Sequence, residues 1–140
     1  MASGRWNVGA GFLFVSAFVI LGFVLVYLRD FAPGKVDWIA SSESGKHFET
    51  RLAHAHGNLF ALLNIAIGLV LPKLALSEGR RRILAWLGLI GMLMPLGILA
   101  EVTLGLPPYL VMLGGASMFV AVTWTGVAWL RTPAPGSGLP

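Results

Sequence analysis

The sequence contains no cysteine, which excludes disulfide bonds, thiolate metal sites and cysteine nucleophiles. Charged residues are also scarce, at 11% of the 140 residues against about 25% in an average soluble domain. Hydrophobic residues, in contrast, make up 56% of the chain. Four long stretches contain neither Lys nor Arg, and the charged residues crowd between them. This distribution is not that of a soluble globular domain.

Familiar catalytic motifs are missing as well. The chain has no G-x-S-x-G elbow, no phosphate-binding loop and no H-E-x-x-H pair. Its formal net charge is +4, but the basic residues form no stripe of the kind that binds nucleic acid. We therefore interpret the positive charge as a signal of membrane topology and expect no nucleic-acid partner.

The four uncharged stretches cover residues 8–28, 55–71, 83–100 and 109–130. A hydrocarbon layer about 30 Å thick is crossed by roughly 20 helical residues. The sequence therefore predicts an all-α integral membrane bundle of four transmembrane helices, as a single domain over residues 1–140. We expect helices near 8–28, 48–72, 83–104 and 108–131, with a flexible tail at 132–140. The first stretch is too long for a signal-peptide core and is read as a retained helix.

The basic residues favour one orientation of this bundle. Six of the ten Lys and Arg fall on the side that holds both termini and the second loop. These six are Arg5, Lys73, Arg80, Arg81, Arg82 and Arg131. By the positive-inside rule, both termini are predicted to lie in the cytoplasm.

A cluster of polar residues is predicted at the opposite side of the bundle. The long first loop leads into a second helix, expected to begin near Phe48, and Glu101 returns to the same side from the third helix. The cluster comprises His47, Glu49, Arg51, His54, His56, Asn58 and Glu101. Ionisable groups near a membrane interior usually face a cavity or a partner, and imidazole is a good metal ligand.

Helix geometry limits what these histidines can do together. His54 and His56 point about 200° apart around a helix of 3.6 residues per turn, whereas His54 and Asn58 share a face. One axial histidine on a haem iron is compatible with this arrangement, but a closed tetrahedral zinc site within one chain is not. The alternative is a set of interfacial histidines that bond to lipid headgroups or loop carbonyls. Both interpretations remain open at this point.

Small and polar residues inside the helices predict how the bundle packs. Gly88 and Gly91 in the third helix, with a Gly114–Gly115 pair in the fourth, predict close helix approach. Pro95 is predicted to kink the third helix. Asn64, at mid-depth in the second helix, is expected to form a hydrogen bond between helices.

The order of several motifs resembles that of the styrene oxide isomerases, which are four-helix bacterial membrane enzymes. The matching elements are Ser42-Glu43-Ser44-Gly45 in the first loop, Ala53-His54 at the start of the second helix, Leu71-Pro72 at its end, and Arg80-Arg81-Arg82 after it. The resemblance implies location in a bacterial inner membrane and a homotrimer that binds haem b between subunits. It also implies His54, or less well His56, as the axial iron ligand. Arg51 and Lys46 are placed to pair with haem propionates, and Asn58 lies beside the ligand.

The polar substrate pocket of that family does not carry over. The family has polar side chains at the positions that correspond here to Phe60, Gly91, Pro95 and Leu99. We therefore expect an oligomeric haem protein with altered activity. Two alternatives remain: a membrane scaffold subunit without cofactor, and an isomerase that rearranges a small apolar epoxide using haem iron as a Lewis acid.

Overall fold

The computed structural model describes residues 4–133, which form helices and short connections without any strand. The helices are α1 (Arg5–Asp30), α2 (Lys35–Ala40), α3 (Lys46–Val70), α4 (Glu78–Gly91), α5 (Leu93–Leu104) and α6 (Tyr109–Leu130), with a 3-10 turn at Leu71–Lys73. Four helical segments are long and apolar enough to cross a membrane: Arg5–Asp30, Lys46–Lys73, Glu78–Leu104 and Tyr109–Leu130. The all-helical prediction with four such segments is confirmed. Most of the tail predicted to be flexible, residues 134–140, lies outside the described residues.

Helices α1 and α3 form an antiparallel pair held at close range by small residues. Three contacts run from one end of the pair to the other: Gly4 with Gly68, Phe18 with Gly57, and Gly22 with His54. A Cβ on any of these glycines would overlap its partner. Gly4 and Gly68 let the two backbones approach closely, whereas Gly57 and Gly22 leave room for the Phe18 and His54 side chains.

The third long segment is broken rather than continuous. Helix α4 ends at Gly91, Met92 connects, and α5 begins at Leu93. Pro95 explains the break, because it has no N–H to donate and its ring collides with the carbonyl four residues earlier, that of Gly91. The break lies close to Pro95, where the sequence predicts a kink, and α4 and α5 together cover the predicted span to Leu104.

The basic triplet lies inside a helix and not in the turn before it. Helix α4 begins at Glu78, five residues earlier than predicted, so Arg80, Arg81 and Arg82 occupy its first turns. Glu78 favours a helix start because its negative charge interacts well with the free N–H groups there. Arginine is itself a good helix former, which the hydropathy pattern alone does not register.

The predicted long first loop contains a short helix and an early start of α3. Helix α2 was not predicted, and α3 begins at Lys46, two residues before the expected start. Gly45 precedes it with a φ of 82°, a left-handed conformation that glycine adopts without strain. The Phe48 amide donates to the Ser41 carbonyl at 3.2 Å, which fastens α2 to the first turn of α3.

The core of the bundle lies between α3, α4 and α6. It includes Phe60, Leu71, Leu84, Met118 and Ala121. The outer faces carry large exposed apolar side chains as well, such as Leu13, Phe23, Phe119 and Leu130. Helices that are apolar on both the inner and outer faces suit a hydrocarbon environment better than water.

Candidate functional site

An open cleft of about 890 Å³ lies where the end of α1 meets the start of α3. One part of its wall is apolar, and the rest is polar and charged. The lining residues are Gly22, Leu25, Val26, Arg29, Ser42, Glu43, His47, Phe48, Arg51, Leu52, His54 and Ala55. Ligand sites in proteins typically measure about 300–1,000 Å³ and combine apolar walls with a few polar groups. The cleft has the size and the composition of such a site.

His54 lies on this cleft with its ring edge against α1. A Cβ atom on Gly22 would stand only 2.9 Å from the ring atom Cε1 and 3.4 Å from Nε2. The Asn58 amide nitrogen is 3.4 Å from Nε2, at the outer limit of a hydrogen bond, while the same nitrogen donates to the His54 carbonyl at 3.0 Å. The other ring nitrogen, Nδ1, is buried and has no hydrogen-bond partner among the described residues. The predicted shared face of His54 and Asn58 is confirmed.

His47 is the second histidine on the cleft. It is 7% exposed and stacks on the Trp38 ring, with centroids 4.6 Å apart and planes 20° apart. Its Nδ1 donates to the Trp38 carbonyl at 2.9 Å. Because α3 begins at Lys46, His47 and His54 lie two turns apart on one helix face.

His56 faces away from the cleft. Its Nδ1 donates to the Leu52 carbonyl at 2.9 Å, and its ring meets Phe60 edge-on with centroids 6.0 Å apart. The predicted divergence of His54 and His56 is therefore confirmed. Within residues 4–133, no three His, Asp or Glu side chains come close enough to hold a metal ion together.

The basic residues predicted for this site divide between two hollows. Arg51 lines the cleft with His54, whereas Lys46 lines a neighbouring hollow of about 410 Å³ beside Asp37 and Trp38. Exposed Glu101 lies in neither lining. The structure thus brings His47, Arg51 and His54 together and leaves Lys46 and Glu101 apart from them.

Sequence reasoning missed Arg29, which supplies a second guanidinium to the cleft. Arg29 donates to the neighbouring Asp30 carboxylate at 2.8 and 2.7 Å, so its charge is partly balanced. Arg29 lies seven residues after Gly22 and so on the same face of α1, but that this face lines the cleft follows only from the packing of α1 on α3. The Trp38 contact of His47 likewise had no signal in the sequence, since it depends on the fold of the first loop.

Four positions were predicted to carry apolar residues or glycine in place of polar pocket side chains, and all four lie within the bundle. Phe60, Gly91 and Pro95 are buried and Leu99 is half-buried. None of the four side chains carries a hydrogen-bonding group, and a Cβ on Gly91 would press against Met118. None of them lines the cleft.

The most buried polar contact of the described chain lies elsewhere, between Asn7 and Asn64. Both side chains are fully buried. The Asn7 amide donates to the Asn64 side-chain oxygen and to the Ala85 carbonyl, each at 2.8 Å, and the Asn64 amide donates to the Asn7 carbonyl at 3.2 Å. The predicted interhelical hydrogen bond of Asn64 is confirmed. Its partner Asn7 was missed, although a polar residue near the start of an apolar helix is itself a signal.

Comparisons of the chain with models of protein families, with curated proteins and with solved structures find no match.

Proposed function

We propose that the chain is an integral protein of a bacterial inner membrane, with four membrane crossings and both termini in the cytoplasm. Three features support this assignment. Four helical segments have the required length and hydropathy. Their outer faces carry exposed side chains such as Phe23 and Phe119, each 71% exposed. The greater number of Lys and Arg lies on the side of the termini.

We propose further that the cleft binds haem b, which His54 would hold through the iron, with His56 as a weaker alternative. The observation that carries this proposal is the buried Nδ1 atom of His54, which has no hydrogen-bond partner within residues 4–133. A buried polar group without a partner costs about 1–3 kcal/mol, so a ligand that engages this imidazole would recover stability. A porphyrin needs only one protein ligand, consistent with the lack of any three-residue metal cluster in the described chain.

The lining of the cleft fits an amphiphilic ligand with anionic groups. Leu25, Val26 and Leu52 supply apolar surface, while Arg29 and Arg51 supply guanidinium groups. Arginine recognises carboxylates through paired hydrogen bonds, so these residues would hold the propionates. Lys46 was predicted to share this role, but it lines the neighbouring hollow and is less well placed.

The proposal includes a homo-oligomer, because the enzymes that the chain resembles are trimers. When bound, the haem iron would supply Lewis-acid chemistry toward a small apolar epoxide. Phe60, Gly91, Pro95 and Leu99 provide no side-chain hydrogen bonds to orient such a substrate. We therefore propose an altered or weak isomerase activity, with a fully active isomerase as the less favoured version.

A membrane scaffold subunit without cofactor is the second candidate. One observation favours it: the nitrogen-bearing edge of the His54 ring packs on Gly22 of the same chain. In this case His54 would serve packing between α1 and α3, and the cleft would hold lipid or a partner protein.

An absorption spectrum of the full chain separates these two candidates. The protein would be extracted from the membrane fraction of cells grown with ample haem and purified in detergent. We expect a Soret band that co-elutes with the protein in size-exclusion chromatography. A purified, folded protein without a Soret band would remove the haem proposal and leave the scaffold candidate.

A further inference from the structure

A second, smaller hollow lies at the opposite end of the bundle from the histidine cleft. It has a volume of about 140 Å³ and lies between the start of α4 and the end of α6. Two arginines, Arg80 and Arg131, line it, and Trp124 with Leu76 and Val127 supply apolar surface. We call this site the arginine hollow.

The two arginines of the hollow have no acidic partner in the described chain. The one ion pair within residues 4–133 joins Arg29 to Asp30, at the other end of α1. The same end of the bundle as the hollow also carries Lys73, Arg81 and Arg82, with Glu78 as the nearby acid. The hollow is therefore strongly cationic and lacks a counter-charge of its own.

Hydrogen bonds hold the walls of the hollow in place. The Thr132 hydroxyl accepts from the Ala75 amide at 3.1 Å and donates to the Ala128 carbonyl at 2.9 Å, which ties the loop before α4 to the end of α6. The Arg81 guanidinium donates to the Leu74 carbonyl at 2.8 Å and so fixes the same loop from the other side. Arg81 thus serves the structure, whereas Arg80 and Arg131 face the hollow.

We infer that the arginine hollow binds the phosphate headgroup of an anionic phospholipid. Guanidinium groups bind phosphate oxygens through charge-assisted hydrogen bonds, and basic pockets between helices at the cytoplasmic membrane surface bind acidic headgroups. The apolar part of the wall, with Trp124, suits the glycerol and upper acyl region, because aromatic side chains settle at that depth. The inference rests on the proposed membrane insertion but not on haem binding.

Lipid retention by the purified full chain tests this inference. Protein extracted from membranes would be exchanged into detergent that contains equal amounts of phosphatidylglycerol and phosphatidylcholine. Native mass spectrometry would then measure how much of each lipid stays bound to the protein. We expect the wild type to retain phosphatidylglycerol selectively. The double variant Arg80→Gln/Arg131→Gln should bind it about tenfold more weakly or worse, since it loses the charge-assisted hydrogen bonds of two guanidinium groups to the phosphate.

A second double variant, Lys73→Gln/Arg82→Gln, is the matched control. It removes two charges from the same region, but neither residue lines the hollow. This control should retain several times more phosphatidylglycerol than Arg80→Gln/Arg131→Gln does. Equal losses in both variants, or equal retention of the two lipids by the wild type, would overturn the site. Displacement of the lipid by millimolar inorganic phosphate would also overturn it and identify a free-anion site. A chain missing from the membrane fraction would instead refute the proposed insertion.

Discussion

The three histidines have different surroundings although they lie within ten residues of one another. Nδ1 of both His47 and His56 donates to a backbone carbonyl, and of the three only His54 has a buried ring nitrogen without a partner in the described part of the chain. His47 and His54 share the cleft, and His56 points away from it. The histidine predicted from the sequence as the ligand is thus also the one whose unpartnered ring nitrogen is buried.

Replacing His54 should therefore remove bound haem. We expect His54→Ala to lose most of the Soret absorbance per protein while the helices still insert, and His56→Ala to keep most of it. His47→Ala is a second control, because it changes the same cleft without removing the proposed ligand. Haem loss in either control, together with retention in His54→Ala, would assign the iron to a different histidine.

A low rate of epoxide isomerisation is a further expectation from individual side chains. Side chains that orient substrate and stabilise charge beside a metal account for orders of magnitude in rate. Because Phe60, Gly91, Pro95 and Leu99 cannot do so, the haem-loaded protein should convert styrene oxide far more slowly than the enzymes it resembles. Gas chromatography of the products would measure this. Robust formation of phenylacetaldehyde would show that these four side chains are not needed.

The Asn7–Asn64 contact predicts a stability effect. Asn64→Leu removes the acceptor of one Asn7 hydrogen bond in a fully buried place. Buried groups that lose a partner cost about 1–3 kcal/mol, and hydrogen bonds between membrane helices contribute about 0.6–2 kcal/mol. We expect a loss of about 1–3 kcal/mol in the free energy of unfolding, measured by titration with a denaturing detergent.

Thr125→Val is the control for that measurement. Its hydroxyl donates to the Ala121 carbonyl within its own helix at 2.7 Å, so no contact between helices is lost. The change should be below about 0.5 kcal/mol. Equal effects of the two variants would mean that the asparagine pair does not hold the helices together.

At the level of elements, the α1–α3 pair depends on glycine. The Phe18 side chain is 3% exposed and occupies the space where Gly57 would carry a Cβ. Gly57→Leu should force the helices apart and cost about 1–3 kcal/mol, the usual range for overpacking. Thermal unfolding in detergent, followed by circular dichroism, would show a lower midpoint.

Gly126→Leu makes the same substitution in α6, where nothing in the described chain lies within 4 Å of the new Cβ. It should leave the midpoint unchanged or raise it, because leucine is the better helix former. A midpoint for Gly57→Leu as high as that of Gly126→Leu would show that the pair adapts to a larger residue.

For the molecule as a whole, the direction of insertion is the central prediction. A reporter fused at the carboxyl terminus should read as cytoplasmic, and one inserted at Gly105, between α5 and α6, should read as periplasmic. Six of the ten Lys and Arg lie on the side of the termini, which sets this expectation. A periplasmic carboxyl terminus would move the histidine cleft to the cytoplasmic face and the arginine hollow away from it.

The sequence alone determined the all-helical class, the four long apolar segments, the kink near Pro95 and the opposite directions of His54 and His56. These features follow from local rules, since hydropathy, proline geometry and the helical repeat act over a few residues. Only the tertiary structure decided which residues share the cleft. Arg29 joins Arg51 and His54 there because glycines let α1 and α3 pack closely, and His47 is held by Trp38 because the first loop folds back. Such contacts join residues distant in sequence, and no local pattern specifies them.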